Sequence, residues 1–146
     1  MTIYVGSDHA GYDLKLQVLE HLHAAGIATF DCGPADGTTS VDYPDFAEGV
    51  AKEVVSKGQQ AILICGTGIG MSMAANKVPG IRAALAHDEY TAQMSREHNN
   101  ANILVLGARV LEGDSALKMV DAWLHGEFEE RHQRRLDKLA NLEVSH

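Results

Sequence analysis

A glycine-rich loop preceded by a cysteine offers the clearest chemistry in this sequence. The segment ICGTGIGMS places Cys65 directly before Gly66, Gly68 and Gly70. Glycine permits positive φ and lets backbone N–H groups approach a ligand closely, and a helix that starts there adds unpaired N–H donors and a positive dipole end. The loop therefore predicts an anion cradle, with a tight strand-to-helix turn as the alternative. A dinucleotide site is a weaker alternative, because the spacing is GxGxG without the GxGxxG register.

Cys65 could act as a base or a nucleophile beside this loop. A free thiol has a pKa of about 8.5, which falls near helix N-termini and cations. A thiolate can remove a proton, whereas a buried cysteine often behaves as an inert, small apolar residue. The only other cysteine is Cys32, and no CxxC pair supports a zinc-ribbon or thioredoxin-like site.

Two segments add histidines that could handle protons. SDHAGY holds Asp8 and His9, which lie close to Cys65 if the first and third strands are neighbours. REHNN holds His98 followed by Asn99, whose amide suits sugar hydroxyls. Histidine relays protons near neutral pH, and a carboxylate can orient a hydroxyl. Helix capping remains the structural alternative for both segments.

The arginines suggest a phosphate site. Arg131 and Arg135 are spaced i,i+4 and share a helix face, and Arg109 follows a predicted strand. Guanidinium groups bind phosphate with paired N–H donors. A solvated, charged helix is the alternative. The net charge of −8 makes a local positive site necessary for any anionic ligand.

These residues require a scaffold of alternating strands and helices. The spacing of apolar residues and of turn residues predicts five strands, at 2–8, 27–32, 60–65, 82–87 and 102–107. It predicts helices at about 12–25, 46–56, 71–77, 88–96, 116–124 and 128–142. Such βαβ units form a Rossmann-like α/β/α sandwich, a three-layer fold with a five-stranded parallel sheet, here with an added C-terminal helix. Ligands bind beyond the carboxyl ends of such strands.

Length and composition narrow the classes of protein. The 146 residues fit one domain spanning 1–146, with 45% hydrophobic and 22% charged residues, which excludes a mainly disordered chain. The 12 basic against 20 acidic residues argue against nucleic acid as a partner. No apolar run approaches the roughly 20 residues that cross a bilayer, and the start of the chain lacks a basic leader. We therefore expect no membrane partner and a cytoplasmic location.

Motifs along the chain resemble those of the type B ribose-5-phosphate isomerase family. In order, they are GSDHAGY, DYP, ICGTGIGMSMAANK, GIRAAL, SREHNNANILVLGARV and RHQRR. The family includes galactose-6-phosphate isomerase subunits and allose-6-phosphate isomerases. CGTGIG followed by SREHNNAN is the most specific part. The resemblance covers nearly the whole chain and implies an aldose–ketose isomerase of the pentose phosphate pathway, which interconverts D-ribose 5-phosphate and D-ribulose 5-phosphate through an enediolate.

The resemblance implies a role for each matched residue. Cys65 corresponds to the base that moves a proton between C1 and C2, and His98 to the group that opens the sugar ring, assisted by Asp8. Thr67 and the backbone of Gly66, Gly68, Ile69 and Gly70 correspond to an anion hole for the enediolate. The other matched residues contact the ligand, the arginines chiefly through its phosphate: His9, Tyr43, Asn99, Arg109, Arg131 and Arg135.

The resemblance also implies an assembly and a branch of the family. Members are dimers or tetramers of dimers with sites shared across the dimer interface, so His98, Asn99 and some arginines are expected from a partner chain. One branch uses a glutamate in the glycine loop as base, but here Cys65 is present and position 70 is glycine. A thiol of ordinary pKa is a poor base at pH 7, so we expect a reactive Cys65.

Alternatives remain for the substrate and for the class of function. An isomerase of a six-carbon sugar phosphate, such as allose or galactose 6-phosphate, needs nearly the same residues. A non-enzymatic nucleotide-binding module is the more distant alternative. We expect no cofactor and no metal, because backbone donors can stabilise an enediolate and no metal-ligand spacing is evident. The remaining histidines are expected at surface, capping or supporting positions: His21, His23, His87, His125, His132 and His146.

Overall fold

The computed structural model describes residues 1–143 and contains a five-stranded parallel sheet. The strands are β1 (Thr2–Ser7), β2 (Ala28–Asp31), β3 (Gln60–Cys65), β4 (Ala83–Leu85) and β5 (Ile103–Gly107), in the order β2-β1-β3-β5-β4. The helices are α1 (Tyr12–Ala24), α2 (Tyr43–Lys57), α3 (Ile69–Ala75), α4 (Glu89–Glu97), α5 (Gly113–His125) and α6 (Gln133–Asn141). A 3₁₀ turn, Glu130–His132, precedes α6. His146 lies outside the described residues.

Helices cover both faces of the sheet and form three layers. One core packs α1, α4 and α5 on the sheet around Trp123, and the other packs α2 and α3 around Val50 and Met71. β3 and β5 carry nearly unbroken apolar runs because both of their faces are buried. The predicted fold class is therefore confirmed. Among the described helices, none has both the length and the apolar character to cross a bilayer.

Most predicted elements are confirmed, and the differences have local causes. α2 begins at Tyr43 rather than 46, because Pro44 fits the first turn of a helix, where its missing N–H is not needed. α3 begins at Ile69, directly after Gly68, two residues earlier than predicted. α5 also starts earlier, β4 is shorter, and the final helix is divided into a 3₁₀ turn and α6. Asp88 caps α4, and its carboxylate accepts a 2.7 Å hydrogen bond from the N–H of Thr91.

The positions of the site residues are described relative to the two edges of the sheet at which the strands begin and end. All strands end at one edge, here the carboxyl edge, and all begin at the opposite amino edge. The connection from α4 to β5 lies at the amino edge, where the N–H of Asn102 donates to the carbonyl of Arg82, just before β4. The six residues of β3 separate the two edges by about 16 Å, at roughly 3.3 Å per residue step.

Candidate active site

The loop after β3 is tied to the end of β5 by its backbone. The N–H of Ala108 donates to the carbonyl of Cys65, and the N–H of Arg109 donates to the carbonyl of Gly66, both at 2.9 Å. A side chain on Gly107 would place its Cβ 2.6 Å from the carbonyl oxygen of Thr67. Real Cβ atoms do not approach a backbone oxygen so closely. The two segments can therefore meet only because position 107 is glycine.

Within the loop, Gly68 turns the chain from strand to helix. Its φ of +82° lies in the left-handed region that favours glycine, and it caps α3. Its N–H donates to the Sγ of Cys65 at 3.2 Å. Cys65 itself is 4% exposed. The Gly68 N–H therefore holds the Cys65 sulfur at the end of β3, beside the glycine-rich loop.

Three further backbone N–H groups of this loop are available to a ligand. The N–H groups of Gly66, Thr67, Gly70 and Met71 make no hydrogen bond to an acceptor within residues 1–143, but Met71 is fully buried, whereas the other three residues are exposed or half-buried. The Oγ1 of Thr67 already accepts a 3.2 Å hydrogen bond from the N–H of Ile69. The loop therefore offers convergent donors beside a thiol, which is the arrangement that an oxyanion requires. This geometry agrees with the predicted anion cradle.

Asp8 and His9 lie next to this loop because β1 and β3 are neighbours. The N–H of Asp8 donates to the carbonyl of Ile64 at 3.1 Å. The buried Asp8 carboxylate accepts the N–H of Gly11 at 3.0 Å, so it also stabilises the entry into α1. The Nδ1 of His9 accepts the N–H of Val41 at 3.2 Å. The proton of neutral His9 is therefore on Nε2, which can donate to a ligand.

Tyr43 and Arg109 complete the group at the carboxyl edge. The ring of Tyr43 packs against Gly70, where a side chain at position 70 would require this ring to move. The guanidinium of Arg109 lies over Gly66, where an added Cβ would be 3.1 Å from its Nη1. Within the part of the chain that the structure describes, Arg109 has no carboxylate partner within 4 Å. Its positive charge is thus available to an anionic ligand.

A second cluster lies at the amino edge and consists of His98, Glu129, Arg131, His132 and Arg135. We call it the His98 cluster. The Oε2 of Glu129 lies 3.6 Å from the Nε2 of His98 and 3.8 Å from the Nε2 of His132. The Nη2 of Arg131 donates to the same oxygen at 3.2 Å, and the Nη1 of Arg135 lies 3.0 Å from the Nδ1 of His132. The two imidazole rings are 4.3 Å apart between centroids.

Two supporting residues of this cluster, His132 and Glu129, are not among the site residues predicted from the sequence. His132 was expected at a surface, capping or supporting position, but only 7% of it is exposed. Burial lowers the pKa of His132 below its ordinary value, and the charges of Arg131, His98 and Arg135 act in the same direction. His132 is therefore neutral near pH 7. The available signal was the position of His132 between Arg131 and Arg135, directly after an acidic run. These two arginines do not share a helix face as predicted, because Arg131 lies in the 3₁₀ turn and Arg135 lies in α6.

The same cluster is the place where a metal could bind. His98, Glu129 and His132 each offer one ligand atom, and these atoms lie within 4.8 Å of one another. However, the guanidinium of Arg131 donates to the carboxylate oxygen of Glu129, and the guanidinium of Arg135 faces His132. A cation bound here would therefore be repelled by two positive charges. The geometry favours a charge-balanced cluster of acid–base groups over a metal site. The expectation of no metal stays a prediction.

The structure brings the predicted site residues together in two groups rather than one. Asp8, His9, Tyr43, Cys65, Gly66–Gly70 and Arg109 lie at the carboxyl edge. His98, Arg131 and Arg135 lie at the amino edge, and exposed Asn99 joins them along a groove of about 590 Å³. A single chain does not unite Cys65 with His98.

Comparisons with known proteins agree with this architecture. The model of the "Ribose/Galactose Isomerase" family matches residues 3–139. The ribose-5-phosphate isomerase B of Mycobacterium tuberculosis is 43% identical over 100% of this chain and 92% of its own length. The ribose-5-phosphate isomerase B structure from Clostridium thermocellum has a TM-score of 0.95 at 51% identity, covering 98% of this chain and 97% of that one.

A second structure carries a bound sugar phosphate. The ribose-5-phosphate isomerase B of Mycoplasma genitalium, with bound ribulose-5-phosphate, has a TM-score of 0.95 at 43% identity. It covers 99% of this chain and 97% of its own.

Replacing Gly107 should loosen the loop that carries the N–H donors. We expect Gly107→Ala to lower the free energy of unfolding by about 1–3 kcal/mol, because the new methyl collides with the carbonyl of Thr67. The matched control is Gly49→Ala in α2, where an added Cβ meets nothing within 4 Å. That control should raise stability by about 0.5–1 kcal/mol. Urea unfolding measures both, and equal stabilities of the two variants would contradict the close approach.

The two cysteines should differ in reactivity. Burial, followed by the negative charge of Asp31, raises the pKa of the Cys32 thiol to about 11. Cys65 instead accepts the N–H of Gly68. We expect iodoacetamide at pH 7.5 to modify the Cys32→Ser variant, which retains Cys65, faster than the Cys65→Ser variant. Mass spectrometry measures both rates, and faster labelling of Cys32, or a Cys65 that resists alkylation in the folded protein, would count against a reactive Cys65.

Proposed function

The chain belongs to the ribose/galactose isomerase family, and on that premise we propose that it interconverts D-ribose 5-phosphate and D-ribulose 5-phosphate. The observation that carries this proposal is the Cys65 thiol beside a loop with three available backbone N–H groups. A proton transfer between adjacent sugar carbons needs both a base and donors for the developing oxyanion. The bound ribulose-5-phosphate of the Mycoplasma genitalium relative supports a five-carbon substrate.

Cys65 would act on the open-chain sugar. Its thiolate removes the proton from C2 of the aldose, and the electrons of that C–H bond form the enediolate. The backbone N–H groups of Gly66, Thr67 and Gly70 then bind the oxyanion, and the proton returns to C1 to give the ketose. In other enzymes, the loss of one oxyanion donor lowers the catalytic rate by about 10²–10³-fold, and we expect an effect of this size for a donor of this loop.

The phosphate would be held by local positive charge in an acidic protein. Arg109 is free of carboxylate partners among the described residues, and His9 can donate through Nε2. Arg131 and Arg135 supply two more guanidinium groups at the other edge. Binding energy from a phosphate remote from the reacting carbons can hold C1 and C2 over the thiol.

We infer that two copies of the chain complete each site. Cys65 and His98 lie at opposite edges of the sheet, so one chain cannot place both against one small sugar. Exposed apolar side chains flank both half-sites: Ile69 and Met73 on α3, and Leu139 and Leu142 at the end of α6. A two-fold dimer pairs the carboxyl edge of one chain with the amino edge of its partner and forms two equal sites.

We also propose one domain and a cytoplasmic location. Both apolar cores share the two faces of a single sheet, which supports one folding unit. Both cysteines are free, which suits a reducing compartment.

The activity test uses D-ribose 5-phosphate and no added metal. We expect formation of D-ribulose 5-phosphate by the purified protein, and a fall of about 10²–10⁴-fold for Cys65→Ala, the usual contribution of a general base. Cys32→Ala is the matched control and should keep its rate. Full activity of Cys65→Ala would overturn the base assignment. Turnover of allose or galactose 6-phosphate alone would overturn the substrate, and stabilisation by ATP or NAD without any turnover would overturn the enzyme.

Mixing two inactive variants tests the shared site. Cys65→Ala and His98→Asn are unfolded together at equal concentrations and refolded. Half of the dimers are then mixed, and each has one site with both residues intact, so about a quarter of the wild-type activity should return. If both residues came from one chain, every site would lack one of them and no activity would return. The two variants refolded separately are the control.

A further inference from the structure

The tautomers in the His98 cluster are fixed by its charged neighbours. A guanidinium carries only donors, so the Nδ1 of His132, 3.0 Å from Arg135, is an acceptor. The proton of neutral His132 is therefore on Nε2, which faces the carboxylate of Glu129. This Nε2 is buried and has no hydrogen-bond partner within the described residues, so the carboxylate 3.8 Å away is its polar neighbour.

Glu129 is held in place to face both imidazoles. Its backbone N–H donates to the carbonyl of Glu97 at 2.9 Å, one residue before His98. Its Oε2 is fixed further by Arg131 at 3.2 Å. The Nε2 of His98 lies 3.6 Å from the same oxygen, beyond hydrogen-bond distance but within ion-pair distance, and a carboxylate, which only accepts, favours a proton on the nitrogen that faces it. The Nδ1 of His98, for which the described part of the chain provides no hydrogen bond, is then the basic nitrogen.

We propose that Glu129 is a positioning residue that holds His98 in the Nε2–H tautomer and turns its Nδ1 toward the sugar as the base of ring opening. The inference rests on the proposed isomerase function. It extends that function by assigning a residue that does not touch the substrate. A carboxylate that orients a histidine and stabilises the imidazolium is a general device of acid–base sites.

Ring opening transfers one proton to His98 and breaks one C–O bond of the sugar. The Nδ1 of His98 takes the proton from the C1 hydroxyl of the furanose, and the electrons of that O–H bond form the C1 carbonyl. The C1–O4 bond breaks, and O4 keeps the electron pair and takes a proton from water. The resulting His98 imidazolium lies between the carboxylate of Glu129 and the sugar, and it returns its proton to solvent. His132, neutral and fixed by Arg135, adds no positive charge of its own beside this imidazolium.

Experiments with D-ribulose 5-phosphate can distinguish a role of Glu129 in ring opening from a purely structural role. Its C5 oxygen carries the phosphate, so the ketose cannot close to a furanose, and removal of its C1 proton needs no ring opening. Two rates are measured for each variant: conversion of D-ribose 5-phosphate, and exchange of the C1 proton of D-ribulose 5-phosphate with D₂O, followed by NMR. The variants are Glu129→Gln, which keeps an acceptor without charge, and Glu129→Ala. Glu130→Gln and Glu130→Ala are matched controls at an exposed neighbouring carboxylate.

We expect the rate of aldose conversion to fall about 10-fold to 100-fold, which is the range seen when a group that orients a metal-bound histidine is removed. The fall should be larger for Glu129→Ala than for Glu129→Gln. Exchange in the ketose should stay within twofold of the wild type, and the Glu130 variants should keep both rates. Equal falls in both rates would show that Glu129 supports the architecture and would overturn the proposal, as would unchanged conversion. Failure of the proposed function is distinct, because the wild type would then neither convert the aldose nor exchange the ketose.

Discussion

The approach of the loop after β3 to the end of β5 is the constraint on which the site depends. Thr67 and Gly107 meet backbone to backbone, with no space for a side chain between them. This contact fixes the path of the loop, which leaves the N–H groups of Gly66, Thr67 and Gly70 without an acceptor among the described residues, while the N–H of Gly68 donates to the Cys65 thiol. A parallel sheet supplies the rigid frame, because β3 and β5 are adjacent and end level with each other. The anion cradle is thus a product of strand order as much as of the glycines.

Strand direction imposes the second constraint, which is the distance between the two half-sites. The connection after β5 leaves from the carboxyl edge, and α5 carries the chain back, so that Glu129 pairs with the end of α4 at the amino edge. Cys65 and the glycine-rich loop therefore lie at one edge, while His98, His132 and two arginines lie at the other. On the proposed function, neither group alone is sufficient for isomerisation of a cyclic sugar phosphate. The proposed dimer would bring one edge of each chain to the other edge of its partner.

Much of this could be predicted from the sequence, for definite reasons. Apolar runs bounded by glycine predict β3 and β5 almost to the residue. The predicted start of α2 is too late, because Pro44 lies in the first turn of the helix, where a missing N–H is tolerated. The role of Glu129 could not be predicted, because a glutamate in an acidic run is usually solvated. Only the turn before α6 places it between two imidazoles.

Charge balance explains how an acidic protein with a net charge of −8 can present a site for a phosphorylated sugar. In the His98 cluster, the carboxylate of Glu129 lies beside Arg131 and the two imidazoles, and Arg135 lies beside His132. One carboxylate and two guanidinium groups leave the cluster with an excess positive charge while both imidazoles are neutral. Burial lowers the pKa of His132 and favours its neutral form, so this excess stays on the guanidinium groups. On the proposed function, the excess positive charge attracts the phosphate, and the carboxylate of Glu129 stabilises the His98 imidazolium that ring opening forms.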